Sequence, residues 1–305
     1  MRNLGKLAVL GITALGLALA GPQDNSLVIG ASQEPRVLAG DFLSVISNQA
    51  IKSEIEQYLF APFIGFNADS QNFPVLATEV PTLENGRLRV TDIGGGKKRL
   101  EMDITIRPDA KWSDGRPITT EDVAFYFEVG KAKGMPVLNP DFWERVNVRI
   151  KDARNFTLIF EPAYYYDTYG PINTYAPKHI MGPEWERVKA AARGLDPQKD
   201  AEKLNELYRN FFIKFSTPQA LNRGAMVYSG PFMLRRWVPG NSIEMVRNPN
   251  FPIKPEGGES KYVQKVVYRL IHNTNSLLVA VIGVVLSVVG AYYYLRILVV
   301  LFMKE

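Results

Sequence analysis

Residues 100–129 read LEMDITIRPDAKWSDGRPITTEDVAFYFEV. Leu100, Met102, Ile104 and Ile106 alternate with Glu101, Asp103, Thr105 and Arg107, the period-2 pattern of a strand with one buried face. Pro108 and Asp109 end that strand. Asp114-Gly115 predicts a tight turn, because glycine tolerates the positive φ such turns need. Thr119 stands three residues before Asp122, the spacing of a helix N-cap with an acidic N3 partner. Val123, Phe125, Tyr126 and Phe127 follow as the helix body. Two roles are open to Trp112 and Asp114: contact with a ligand, or packing under the turn and capping of backbone N–H groups. Turn-plus-cap grammar accounts for every residue here, so Trp112, Asp114, Gly115, Thr119 and Asp122 are read as structural.

Composition excludes several classes. The 305 residues, 46% hydrophobic, suffice for a sizeable core and one or two domains. Without cysteine there are no disulfides, thiolate metal sites or lipidated N-terminal Cys. His179 and His272 are the only imidazoles, too few for a transition-metal site, and nothing calls for a cofactor. The net charge is +5, but Lys and Arg are interspersed with Asp and Glu and form no dense run. Solvated surface charge is therefore expected, not a nucleic-acid interface. No nucleophile–base pair or paired carboxylates stand in a recognisable setting, so no enzyme activity is expected.

Residues 1–20 pair a basic start (Arg2, Lys6) with a 14-residue apolar run ending Ala18-Leu19-Ala20. That is the pattern of a secretory signal peptide cleaved before Gly21, and it implies export. Ser26–Ala31 predicts a strand, and from Ser44 to Tyr58 the apolar residues Val45, Ile51, Ile55, Tyr58 and Leu59 recur at helical spacing. Arg87–Thr91 and Arg99–Arg107 predict a hairpin around Gly94-Gly95-Gly96; without Walker spacing these glycines are a loop and not a phosphate cradle. Val146–Ile150 and Phe156–Phe160 read as paired strands, and Glu184–Phe215 as helix broken near Gly194 and Pro197. The aromatic run with Tyr165, Tyr166 and Tyr169 supplies weak candidates for a ligand cleft; packing tyrosines are the more usual explanation.

Lys111-Trp112-Ser113-Asp114-Gly115, Pro117-Ile118-Thr119 and Glu121-Asp122-Val123 together resemble the motif "kWsDGkPlTaeDV". It belongs to bacterial extracellular solute-binding proteins of the oligopeptide, dipeptide and nickel ABC importers. Three further passages are similar to the same family: Pro74–Ala77, Ala176–Ile180 and the stretch from Ser229-Gly230-Pro231-Phe232 to Arg247–Phe251. In that light His179 is structural, and no motif fixes a Ser or Asp partner beside it. The resemblance covers Ser26 to Asn275 and implies a mixed-sheet α/β lobe, the first of a two-lobe periplasmic-binding-protein type II fold. It implies a substrate-binding component of an ABC importer, with a peptide ligand and permease subunits as partners. In that family the ligand sits between two closing lobes, so residues 21–275 alone would bind peptide weakly, as a truncated or fused form.

Leu277–Leu295 carries no charge over 19 residues, enough to span a bilayer at about 1.5 Å per residue. Gly283, Ser287 and Ala291 form a small-residue stripe, and Tyr292–Tyr294 with Arg296 an interfacial anchor. Residues 276–305 are thus expected to be a transmembrane helix that anchors a periplasmic or cell-envelope protein. Val281–Met303 is similar to a transmembrane helix of subunit N of NADH–quinone oxidoreductase, which makes a membrane-complex subunit the alternative reading. None of that subunit's proton-channel residues is included.

Overall fold

The computed structural model describes residues 25–67, 69–164, 176–254 and 263–271, and five helical positions at 282, 283, 286, 287 and 292. Two four-stranded sheets and a small hairpin carry the architecture. The first sheet is mixed. Its strands β1 (Ser26–Ala31), β8 (Phe232–Val238), β9 (Ser242–Arg247) and β10 (Lys265–Leu270) lie in the order β1-β10-β9-β8. β1 runs parallel to β10, from Ser26 opposite Lys265 to Ala31 opposite Leu270, and the other two pairings are antiparallel. The earliest and latest described strands are therefore neighbours.

The second sheet is antiparallel, in the order β4-β5-β7-β6, from β4 (Leu88–Asp92), β5 (Lys98–Thr105), β6 (Val146–Ile150) and β7 (Asn155–Phe160). β5 alternates as its sequence predicts: Leu100, Met102 and Ile104 are buried, while Arg99, Glu101, Asp103 and Thr105 face outward. The outer face is an ion-pair ladder, with Glu101 between Arg89 and Arg149 and Asp103 between Arg89 and Lys151. β2 (Ile64–Phe66) and β3 (Asn72–Pro74) form a separate hairpin.

Helices join the sheets. They are α1 (Ala50–Leu59), α2 (Thr120–Gly130), α3 (Pro140–Arg145), α4 (Lys178–Ala192), α5 (Ala201–Ser216) and α6 (Pro218–Asn222). α2 rests on β6 and packs on α4, α4 on α5, α5 on α6, and α6 on β8, so a chain of helices spans from one sheet to the other. One apolar core runs through all of them. Trp185 stacks on Tyr208 with ring centroids 6.0 Å apart, and Phe42 meets Phe212 edge-on at 5.4 Å. α1 begins at Ala50, later than its apolar spacing suggests. Asp41 captures the N–H groups of Ile46 and Ser47, which closes residues 41–47 into a loop instead of a helical turn.

Among the described residues no helix is long and apolar enough to cross a membrane. Apart from its five helical positions, the span expected at 276–305 lies outside the described residues, as does the expected signal peptide at 1–20. At two of those positions, Ser287 Oγ donates to the Gly283 carbonyl one turn earlier at 2.8 Å.

Candidate functional site

Residues 112–122 fold into a joint. Gly115 sits at φ +88°, the left-handed conformation the turn demands. Trp112, fully buried, donates its indole N–H to Asp122 Oδ2 at 3.2 Å. Asp122 also accepts the Thr119 N–H at 3.0 Å, while the Thr119 hydroxyl accepts the Glu121 N–H, completing a capping box at the start of α2. Its other oxygen reaches across the fold to the Lys178 N–H, 2.9 Å away at the first residue of α4. Burial pushes the Asp122 carboxyl above the usual range; the Thr119 and Lys178 N–H groups, the indole N–H and nearby His179 pull it back.

Asp114 faces outward. Its Oδ1 accepts the Arg116 N–H at 3.1 Å, and its Oδ2 lies 2.9 Å from His179 Nε2. The sequence gives His179 no acidic partner; the structure supplies Asp114 from 65 residues away. That dyad pairs a carboxylate with an imidazole, and among the described residues no hydroxyl is bonded to the ring.

Ser113 ties the turn to the segment that leads into β8. Its N–H donates to the Tyr228 carbonyl at 2.8 Å and its hydroxyl accepts the Tyr228 N–H at 3.0 Å. Asn250 Nδ2 donates to the Ser113 carbonyl at 3.0 Å. Asn248 Nδ2 donates to the Gly230 carbonyl at 2.9 Å, and Gly230 N–H to Leu59 at 2.8 Å. The stretches 112–115, 228–231 and 248–250, far apart in sequence, thus converge in one hydrogen-bonded cluster that ties the turn before α2 to the loops flanking β8 and β9.

Two cavities flank the α2–α4 contact. One of about 510 Å³ is lined by Arg116, Thr119, Glu121, Lys178, His179 and Glu186 among others. The other, of about 560 Å³, is lined by Glu128, Lys133, Trp185, Lys189, Asp196 and Tyr208 among others. Glu128 borders both and accepts from Trp185 Nε1 at 3.1 Å and Lys189 Nζ at 2.6 Å. Their rims mix both signs of charge and select no ligand class. No group of three or more His, Cys, Asp and Glu that could hold a metal occurs among the described residues. Tyr165, Tyr166 and Tyr169 lie outside the described residues. Their neighbour Tyr164 is exposed, with the Arg145 guanidinium 4.0 Å from its ring centroid.

A mixed sheet and an antiparallel sheet, bridged by helices over one apolar core, form an α/β periplasmic-binding-protein-like fold. Residues 97–287 match the profile of bacterial extracellular solute-binding proteins, family 5 (middle region), and the chain belongs to that family. It is similar to the oligopeptide binding protein of Thermus thermophilus, solved in complex with a pentapeptide: 96% identical, TM-score 0.84, covering 87% of this chain and 44% of that one. The oligopeptide-binding protein AppA of Bacillus subtilis is 23% identical over 259 residues, 83% of this chain and 38% of its own length. Its structure with a nonapeptide superposes with a TM-score of 0.53 at 21% identity, covering 83% of this chain and 41% of that one, a likeness of fold. The chain therefore spans less than half the length of these relatives. None of these matches supports the resemblance of Val281–Met303 to subunit N.

Proposed function

We propose that the chain supplies one wall of the peptide site of an ABC importer's substrate-binding protein. The observation that carries this reading is the 96% identity to a protein solved with a pentapeptide bound. Peptide recognition in that setting is enclosure from two sides, with closure excluding water and completing hydrogen bonds. The bonds of Ser113 to Tyr228 and Asn250 support the same reading, because they tie the turn before α2 to the loops that flank β8 and β9. Partners follow from the family: a peptide as ligand, and permease subunits as the membrane components.

The test is ligand class. The chain extended to the length of the Thermus thermophilus relative is titrated with penta- to nonapeptides and, separately, with sugars and free amino acids. Saturable binding of peptides alone supports the reading; indifference to peptides with binding of another class overturns it.

Export through residues 1–20 and anchoring by 276–305 are further parts of the proposal, resting on the apolar runs. Retention in the membrane pellet after alkaline carbonate washing supports anchoring, and release contradicts it. The alternative of a membrane-complex subunit related to NADH–quinone oxidoreductase subunit N rests on residues 281–303 alone and predicts copurification with other membrane subunits.

A further inference from the structure

Residues 37–47 lie against the buried face of α1, on three charged side chains removed from water. Asp41, Lys52 and Glu56 are 0%, 2% and 5% exposed. Glu56 Oε1 accepts the Ala39 N–H at 2.8 Å, and its Oε2 pairs with Lys52 Nζ at 3.0 Å. Lys52 also reaches Ser44 Oγ at 3.4 Å. Asp41 turns back on its own loop to accept the Ile46 and Ser47 N–H groups at 3.2 and 3.1 Å.

The segment is strained at the two places the cluster holds it. Ala39 and Ser44 have φ of +61° and +56°, a left-handed conformation that residues with a Cβ keep only when their surroundings impose it. Ala39 is held through Glu56 and Ser44 through Lys52. Between them Gly40 lies so close to α5 that a Cβ would stand 2.4 Å from Phe215 Cβ.

One ammonium against two carboxylates leaves an excess negative charge that the Ala39, Ile46 and Ser47 N–H groups offset only in part in a buried setting. The charged groups facing Glu56 are Lys52 from its own helix and Asp41 from the overlying segment. α5 contributes the apolar rings of Phe212 and Phe215 to this contact. A proton on either carboxyl removes the excess.

We propose that Asp41, Lys52 and Glu56 form a proton-operated latch: residues 37–47 stay closed while the cluster carries one extra proton, and open when it leaves. Burial, against the pull of Lys52, pushes the Glu56 carboxyl up from 4.5 to about 7, and burial raises Asp41 as well. The closed form thus holds its proton where an open, hydrated Glu56 has lost it. Closure weakens as pH rises from the ordinary carboxylate range through about 7. Opening bares Phe42 and Leu43, both buried in the closed form.

Amide hydrogen exchange of the full chain tests this, read as protection at Ala39, Ile46 and Ser47 after correction for the intrinsic pH dependence of exchange. Protection should fall roughly thirtyfold between about pH 5.5 and about pH 8.5, while Met102 and Asp103 in β5 stay constant. E56Q should abolish the step. D41N, which keeps an acceptor for Ile46 and Ser47 but removes one negative charge, should move the step to lower pH. Wild-type protection constant to within about twofold, a step that survives in E56Q, or one unmoved in D41N would each overturn the latch. If E56Q fails to fold, the wild-type and D41N profiles decide.

Discussion

Trp112 and Asp122 meet in the interior, indole N–H to carboxylate at 3.2 Å, with the two side chains 0% and 7% exposed. That contact binds the turn to the helix it precedes. The other acceptor positions of Asp122 bind the helix's own N-cap and the first residue of α4. One carboxylate thus closes three local structures at once.

Asp122→Ala strands three N–H donors, two on the backbone and one on Trp112. At about 1–3 kcal/mol for each buried donor left without a partner, partly relieved by water, we expect a loss of about 3 kcal/mol in urea denaturation. Trp112→Phe removes one of those bonds and some packing. The double variant should show coupling of about 1 kcal/mol, and strict additivity would mean that the contact carries no energy of its own.

Gly230→Ala should be severe although the glycine has an ordinary φ. Its Cβ would stand 2.6 Å from the Leu59 carbonyl carbon and the Tyr58 oxygen, and 2.7 Å from the Phe60 nitrogen, all of them backbone atoms. Backbone cannot rotate away as a side-chain tip does, so we expect a cost of about 3 kcal/mol or more, or failure to fold. Gly194→Ala is the contrast. It has open space around the missing Cβ, and its cost is limited to the left-handed φ of +81°, about 1 kcal/mol. Equal losses at the two positions would refute the steric argument.

Asp103 is held ionised by the ion-pair ladder of the second sheet. Burial alone would raise its carboxyl, but hydrogen bonds from Arg89 (2.7 Å), Lys151 (2.8 Å) and Thr157 (2.5 Å) outweigh that and hold it well below the usual range. A carboxyl depressed in the folded state stabilises above its unfolded value and loses that stabilisation as pH falls through the folded one. Stability of the wild type should therefore drop as pH falls below about 4, while Asp103→Asn is weaker at neutral pH and shows a shallower acid loss. Denaturation curves at neutral and acid pH for both proteins check the sign.

Much of this was legible locally. The alternation of Leu100 to Arg107, the Asp114-Gly115 turn and the Thr119–Asp122 cap are short-range patterns, and each has its counterpart in the structure. Partners distant in sequence were not legible. Asp122 meets Lys178 across 56 residues and Asp114 meets His179 across 65, so no spacing rule reports them. The same holds for Ser113 and Tyr228, 115 residues apart, whose reciprocal bonds show why separate motifs occur together. Local pattern also misled at Ser44–Gln49. Apolar periodicity there suggested helix, but Asp41 offers the backbone a competing acceptor and Ser44 takes a left-handed φ.

Under the proposed function the chain forms one wall of a two-walled peptide site. Calorimetric titration of the chain by itself with a pentapeptide pool tests it most directly, with the oligomeric state followed in the same sample. A ligand solvated on one face forgoes several kcal/mol of contact, at about 1.4 kcal/mol per tenfold in affinity. A lone wall should show no saturation at micromolar peptide; submicromolar binding by a monomer would contradict the claim.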